Sequence, residues 1–284
     1  MIRRLFIILE MIKFEHTVFA MPFALMSAVI AADGIPAWRT LGWIVVAMVG
    51  ARSAAMAFNR IADRHIDSKN PRTATRAIPA GLVSVASAWV FTIACAGIFV
   101  LAAGMLNRLA LMLSPVALFV ILGYSYTKRF TSWSHLVLGL SLGIAPVGAW
   151  IAVRGEFDLA PIVLAACVML WTAGFDVIYS LQDVEFDRKM GLFSLPKVLG
   201  EARALFVSRL MHTAMLGLLV WFGILTGVSV IYWVGIGFVL LFIVYEHSLV
   251  SPTDLSRVNA AFFTMNGCVS IAMFIFTLVD VLAR

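Results

Sequence analysis

The chain has 284 residues, of which 62% are hydrophobic and 13% charged, with a formal charge of +6 and a mean hydropathy of +1.01. A soluble domain carries about 25% charged residues, so this chain cannot cover itself with a water-facing surface and must use lipid as part of its solvent. The basic excess does not point to nucleic acid, because Lys and Arg sit in short connections between apolar runs, as membrane topology requires.

A spanning helix takes about 20 apolar residues. Runs of that length fall at 14–33, 40–60, 85–104, 107–126, 134–153, 159–181, 205–226, 229–249 and 258–281. They predict an all-α integral membrane protein of about nine transmembrane helices, a single domain over residues 1–284 with no room for a soluble one. Turn residues mark several borders: Asp33-Gly34-Ile35-Pro36, Arg154-Gly155 and Ser251-Pro252. Met1 to Glu10 shows no small-residue cleavage site after a separate apolar region, so the first helix is expected to be retained. Cys95, Cys167 and Cys268 all lie inside apolar runs and offer no disulfide framework or zinc spacing.

Loop charge predicts orientation. Sixteen Lys and Arg fall on the face of the N-terminus, four on the other, and Arg52 lies within a span, which accounts for all 21. The N-terminus is therefore expected to be cytoplasmic and the C-terminus external, in a bacterial or archaeal cytoplasmic membrane. The connections after the second and sixth spans are longer than the rest and lie on the cytoplasmic side. Each opens with acids at helical spacing and ends in Pro and Gly: Asp63, Asp67, Pro79, Gly81, then Asp183, Asp187, Pro196, Gly200. This is a weak internal repeat of about 120 residues.

Asn59, Asp63 and Asp67 recur every four residues and form one stripe as the second span leaves the membrane. Asp176, Asp183 and Asp187, spaced by seven and four, are expected to share one face of the sixth. Stacked oxygen ligands suit Mg²⁺, which takes one or two carboxylates and completes its shell with water and substrate phosphate. Aspartates at a solvated helix end are ordinary, and one pair alone would mean little. Two matched clusters, each followed by a basic loop, ask for a cation, because an acid at a helix C-terminus opposes the macrodipole by roughly 0.3–1 kcal/mol. Asp176 lies deeper, where an acid is a functional candidate. Arg72, Arg76, Lys128 and Arg129 are cations suited to phosphate, although loop charge of the positive-inside kind explains Lys69, Arg188, Lys189 and Arg203 equally well. Arg52 lies seven positions before Asn59, about 10 Å deeper at 1.5 Å per residue. It is either half of an internal ion pair, with Asp176 as a partner, or an anchor for an acidic substrate.

These pieces resemble the UbiA superfamily of intramembrane prenyltransferases. The matching residues are Asn59-x3-Asp63-x3-Asp67, Arg72-Thr-x2-Arg76-x2-Pro79-x-Gly81, Tyr124-x3-Lys128-Arg129 and Asp176-x6-Asp183-x3-Asp187. The resemblance runs from the first helix to the last. One departure is Arg60, which stands where many members have a second acid. The fold it implies is a ring of helices around a central cavity with cytoplasmic cap segments over it. The reaction it implies is ionisation of a polyprenyl diphosphate to an allylic cation, which the ring carbon of an aromatic acid attacks. Asn59, Asp63, Asp67, Asp183 and Asp187 are then expected to hold Mg²⁺, because a bare diphosphate beside these carboxylates meets about 4 kcal/mol of repulsion per unit pair at 4 Å and a dielectric near 20. Arg72, Arg76, Tyr124 and Lys128 would contact the diphosphate, Asp176 would belong to the catalytic set, and Arg52 would bind the aromatic carboxylate.

The stretch from Lys13 to Ala24 resembles the 4-hydroxybenzoate polyprenyltransferase-like branch. That favours 4-hydroxybenzoate as acceptor in quinone synthesis, with a dihydroxynaphthoate for menaquinone as the alternative. A cation-coupled transporter is the rival from another class. It would place its binding groups near the midplane on interrupted helices, whereas these acids gather at one face. A non-catalytic scaffold would not need polar groups on two facing stripes.

Overall fold

The computed structural model describes Ile7, Glu10 to Ile12 and residues 20–284. The expected first span begins at residue 14, so its first six residues, with most of the Lys13 to Ala24 stretch, lie outside the described residues. Its described part is α1, Met21–Ala32. The chain continues as α2 (Trp38–Asp67), α3 (Val85–Leu106), α4 (Arg108–Thr127), α5 (Ser134–Arg154) and α6 (Leu159–Ser180). A single 3₁₀ turn, Leu181–Asp183, leads into two short helices, α7 (Val184–Met190) and α8 (Leu195–Leu199). The last spans are α9 (Glu201–Thr226), α10 (Val230–Ser248), a π-helical turn at Ala260–Met265 and α11 (Asn266–Leu282). Among the described residues, eight helical stretches are long and apolar enough to cross a membrane, with α1 shorter. The protein is an integral membrane protein.

Local chemistry sets the ends. Ser84 and Asn107 cap α3 and α4 by accepting from Ser87 N at 3.1 Å and Ala110 N at 2.9 Å. Gly155 and Gly227 end α5 and α9 at φ 74° and 61°, a conformation that suits a residue without a Cβ. Asp280 of α11 reaches across to the start of α10 and accepts from Ser229 N at 2.9 Å and Tyr232 N at 3.1 Å. This buried acid serves the fold, satisfying free amides where the helix dipole favours negative charge.

From α2 to α11 the spans pack in chain order, and α1 packs on α5 and α11 and closes the bundle into a ring. Among the eight long spans α6 is the most enclosed, and it carries Leu164, Cys167, Trp171 and Phe175 into the main core with Phe23, Met215, Phe222 and Met273. Outward faces are apolar as well, as Val90, Ile93, Met112 and Phe119 illustrate. Such surface is stable only in lipid.

α5 and α6 approach most closely at two glycines one turn apart. A Cβ on Gly139 would lie 2.2 Å from Met169 O, and one on Gly143 would lie 2.6 Å from Ala165 O. Small residues of this kind let backbones touch where lipid supplies no hydrophobic drive between helices. Gly139→Ala is therefore expected to destabilise the bundle by about 1–3 kcal/mol, seen as a lowered melting temperature in detergent. Gly148→Ala on the same helix, where a Cβ meets nothing within 4 Å, should melt with the wild type.

Candidate active site

The α2 stripe is built as its spacing predicts, because the helix runs past the apolar stretch to Asp67. Asp63 is nearly inaccessible, at 2% exposure. Asn59 Nδ2 donates to its Oδ2 at 3.2 Å, and Lys128 Nζ at 2.5 Å and Arg129 Nη2 at 3.0 Å close the pair from the end of α4. Asp67 takes one nitrogen of Arg76 on both oxygens, at 2.8 and 2.9 Å. The loop that carries Arg76 folds back over the helix end. Thr73 Oγ1 donates to the Asp67 carbonyl at 3.1 Å, and Arg72 N donates to Asn70 Oδ1 at 3.0 Å.

The second acid set is assembled differently from the single continuous face expected. Asp176 belongs to α6, Asp183 closes the 3₁₀ turn and Asp187 sits on α7. Three residues of tighter winding break the helical register, so sequence spacing alone misplaces the stripe. Tertiary partners restore the convergence. Asp183 accepts from Arg72 Nε at 3.1 Å and from Asn70 Nδ2 at 3.1 Å, both on the first loop. Asp187 accepts from Ser194 Oγ at 2.8 Å, and Phe193 N donates to Lys128 O at 2.8 Å, which docks this segment on the end of α4.

Asp176 is held by His135 of α5, Nδ1 to Oδ2 at 2.7 Å. Leu195 N donates to His135 Nε2 at 3.3 Å, so Nε2 supplies a lone pair and Nδ1 carries the proton that the carboxylate accepts.

These groups line one cavity of ≈ 230 Å³. Asn59, Asp63, Asp67, Arg72, Arg76, Tyr124, Lys128, Asp176, Asp183 and Asp187 all reach it. Arg52 does not. It is half-buried on α2, and its charge, like that of Asp176, bears on the Tyr124 hydroxyl. A second cavity of ≈ 450 Å³ adjoins the first and shares Arg60, Arg72, Thr73 and Arg76 with it.

His135, Asn70, Ser125 and Ser194 were not legible as site residues. Each is a common polar residue outside the acid spacing: His135, Asn70 and Ser125 reach Asp176, Asp183 and Asn59 from other elements, and Ser194 reaches Asp187 across the turn after α7. Tyr179, which takes Arg72 Nη1 at 3.2 Å, stands within the second acid stretch, and its place one turn after Asp176 was the available signal.

Every acid of the matched clusters is already neutralised or hydrogen-bonded. Burial would lower the pKa of Arg72, but its hydrogen bond to Asp183 and the Asp183 charge outweigh that and hold it above the usual guanidinium value. Among the described residues no three His, Cys, Asp or Glu side chains stand ready as a metal cage. Carboxylates in facing pairs around a polar cavity still fit Mg²⁺, which is commonly held by one or two carboxylates with phosphate and water completing its shell.

A closed helical bundle in lipid, with carboxylates, guanidinium groups and an ammonium gathered over one cavity, has the build of an intramembrane enzyme. The chain belongs to the UbiA prenyltransferase family, whose sequence profile matches residues 20–275, and it is a prenyltransferase. It is 31% identical over 255 residues to the 4-hydroxybenzoate octaprenyltransferase of Nitrosospira multiformis, covering 90% of this chain and 87% of that one. A relative of the same description from Aliivibrio fischeri is 31% identical over 240 residues, covering 84% and 82%. The apo structure of a UbiA homolog from Aeropyrum pernix superposes with a TM-score of 0.86 at 36% identity, covering 94% of this chain and 98% of that one. A UbiA homolog from Archaeoglobus fulgidus bound to GPP and Mg²⁺ shares the fold at 19% identity, with a TM-score of 0.75 and coverage of 97% and 99%.

Proposed function

We propose that this prenyltransferase moves a polyprenyl group from its diphosphate to a ring carbon of 4-hydroxybenzoate or a close aromatic acid, in quinone synthesis and with Mg²⁺. The observation that carries the reading is the meeting of Asp63, Asp67, Asp183 and Asp187 on one cavity, with Arg72, Arg76 and Lys128 interleaved. The relatives described as 4-hydroxybenzoate octaprenyltransferases support the acceptor.

The residues divide the work as follows. Arg72, Arg76 and Lys128, now on carboxylates, turn to the diphosphate oxygens when it enters, where charge-assisted hydrogen bonds are strongest. Asp63, Asp67, Asp183 and Asp187, with Asn59 beside them, would hold Mg²⁺, which when bound would supply positive charge against the departing diphosphate. The bond to the allylic carbon breaks with its electron pair going to the diphosphate, and the ring's π electrons form the new carbon–carbon bond. The ring then sheds a proton. Asp176, oriented by the Nδ1–H of His135, is the carboxylate placed to accept it. The apolar helix faces below keep water from the cation.

Asp63→Asn and Asp183→Asn keep size and remove charge, so each should lower kcat by about two orders of magnitude or more at limiting Mg²⁺. The assay is prenyl transfer by purified enzyme with a labelled prenyl diphosphate, 4-hydroxybenzoate and, separately, dihydroxynaphthoate. Wild-type rates in both variants would rule out this metal set. Turnover of the naphthoate alone would rule out the benzoate reading.

Arg52 is proposed to grip the acceptor carboxylate, since a fork of two hydrogen bonds fixes the ring plane as well as its position. Arg52→Lys should raise KM for the aromatic acid about tenfold and leave KM for the prenyl diphosphate unchanged. Equal damage to both substrates, with a lowered melting temperature, would make Arg52 structural.

The cavity is proposed to open on the cytoplasmic side, with the N-terminus inside and the C-terminus outside, on the loop-charge asymmetry. A cysteine placed at Lys69 should label only from the cytoplasmic side of oriented vesicles. Labelling from outside alone would invert the topology.

A further inference from the structure

Two cavities meet at Arg60, which lines both. The other cations on these walls are paired: Arg72 with Asp183, Arg76 with Asp67 and Lys128 with Asp63. Among the described residues, no carboxylate lies within ion-pair distance of Arg60. Its Nε donates to the Met11 carbonyl at 3.2 Å and its Nη1 to Asn59 Oδ1 at 3.4 Å, both neutral acceptors. A guanidinium has five N–H donors, so among the described residues most of its donor capacity is uncommitted. Arg60 is 8% exposed. Asp63 and Asp67 act on its charge only from beyond ion-pair distance, and a guanidinium buried to that degree without a contacting carboxylate is unfavourable.

The larger cavity differs from its neighbour in character. Arg60, Arg72 and Arg76 supply three guanidinium groups, while Tyr179, Phe262 and Phe263 supply ring faces. The carboxylate on its wall, among the described residues, belongs to the exposed Glu10. Such walls fit an anionic group on an apolar or aromatic body. Arg52, Met56 and Arg60 recur every four residues along α2, and Met56 and Arg60 both face this cavity.

We infer that Arg60 is a substrate-binding residue that holds an oxyanion where the two cavities meet. The oxyanion is the diphosphate of the donor or the carboxylate of the aromatic acid, so the inference rests on the functional reading above. Arg72, Arg76 and Lys128 must each leave a carboxylate to take an anion. Among the described residues Arg60 has no carboxylate to leave, only the two neutral acceptors Met11 O and Asn59 Oδ1.

The test is equilibrium binding to purified protein in detergent, with sodium pyrophosphate in EDTA as one ligand and 4-hydroxybenzoate as the other. Arg60→Gln keeps a donor for the Met11 carbonyl and removes the charge. It should weaken one of the two ligands by roughly 10- to 100-fold, the worth of a hydrogen bond to a charged group. Loss confined to pyrophosphate assigns Arg60 to the donor, and loss confined to 4-hydroxybenzoate assigns it to the acceptor. Wild-type affinity for both, with or without a lowered melting temperature, would make Arg60 a clamp on the N-terminal segment and overturn the inference. Should Arg60→Gln not fold, Arg60→Lys decides instead. Lysine keeps the charge and loses the fork, so a loss of roughly threefold for one ligand is expected, and wild-type affinity for both overturns the inference. Wild-type protein that binds neither ligand would sink the functional reading as well. Wild-type binding that survives in both variants would sink this inference alone.

Discussion

A carboxylate at the C-terminal end of an apolar helix is disfavoured twice, by the helix dipole and by loss of water. Asp63 and Asp67 both stand there, almost fully enclosed, and the architecture above them answers that constraint. Arg76 folds a loop back over α2 to reach Asp67, Lys128 and Arg129 close on Asp63 from α4, and Arg72 crosses to Asp183. The cap over the cavity is therefore held by the same charges that a diphosphate would compete for. A site poised this way would exchange one set of ion pairs for another, at less cost than leaving bare aspartates in an apolar bundle.

The two halves of the cap reach this balance by different routes. α2 simply continues, and its stripe survives because no break interrupts the winding. α6 stops at Ser180, and a 3₁₀ turn and a short helix carry the remaining acids. The detour separates Asp176 from the upper pair and gives it its own environment, a neutral His135 that is itself fastened to the start of α8 through Leu195 N. One acid set thus contains groups in two chemical roles: carboxylates balanced by cations, and one carboxylate oriented by a hydrogen-bond donor. The π-helical turn at Ala260–Met265 has a comparable effect on the far wall. Extra width in the winding presents Phe262 and Phe263 to the second cavity.

Much of this was present in the chain before folding. Hydropathy set the span count and the membrane class, because each span satisfies its own backbone and must be apolar over a bilayer's thickness. The four-residue recurrence of Asn59, Asp63 and Asp67 placed one half of the site, since i and i+4 share a helix face whatever surrounds them. The paired acid motifs marked the family, and Arg72, Arg76 and Lys128 stood out as cations suited to phosphate beside the acids. What only the tertiary structure decided is who meets whom. His135 and Asp176 are separated by 41 residues, and Asn70 and Asp183 by 113, and no periodicity encodes such pairs. The break after Ser180, the second cavity and the absence of an ion pair on Arg60 among the described residues likewise depend on how neighbouring helices dock. Sequence determines local winding and the side that must face lipid. Contact between distant polar groups is chosen by packing, where each buried charge takes the partner that the closed ring brings within reach.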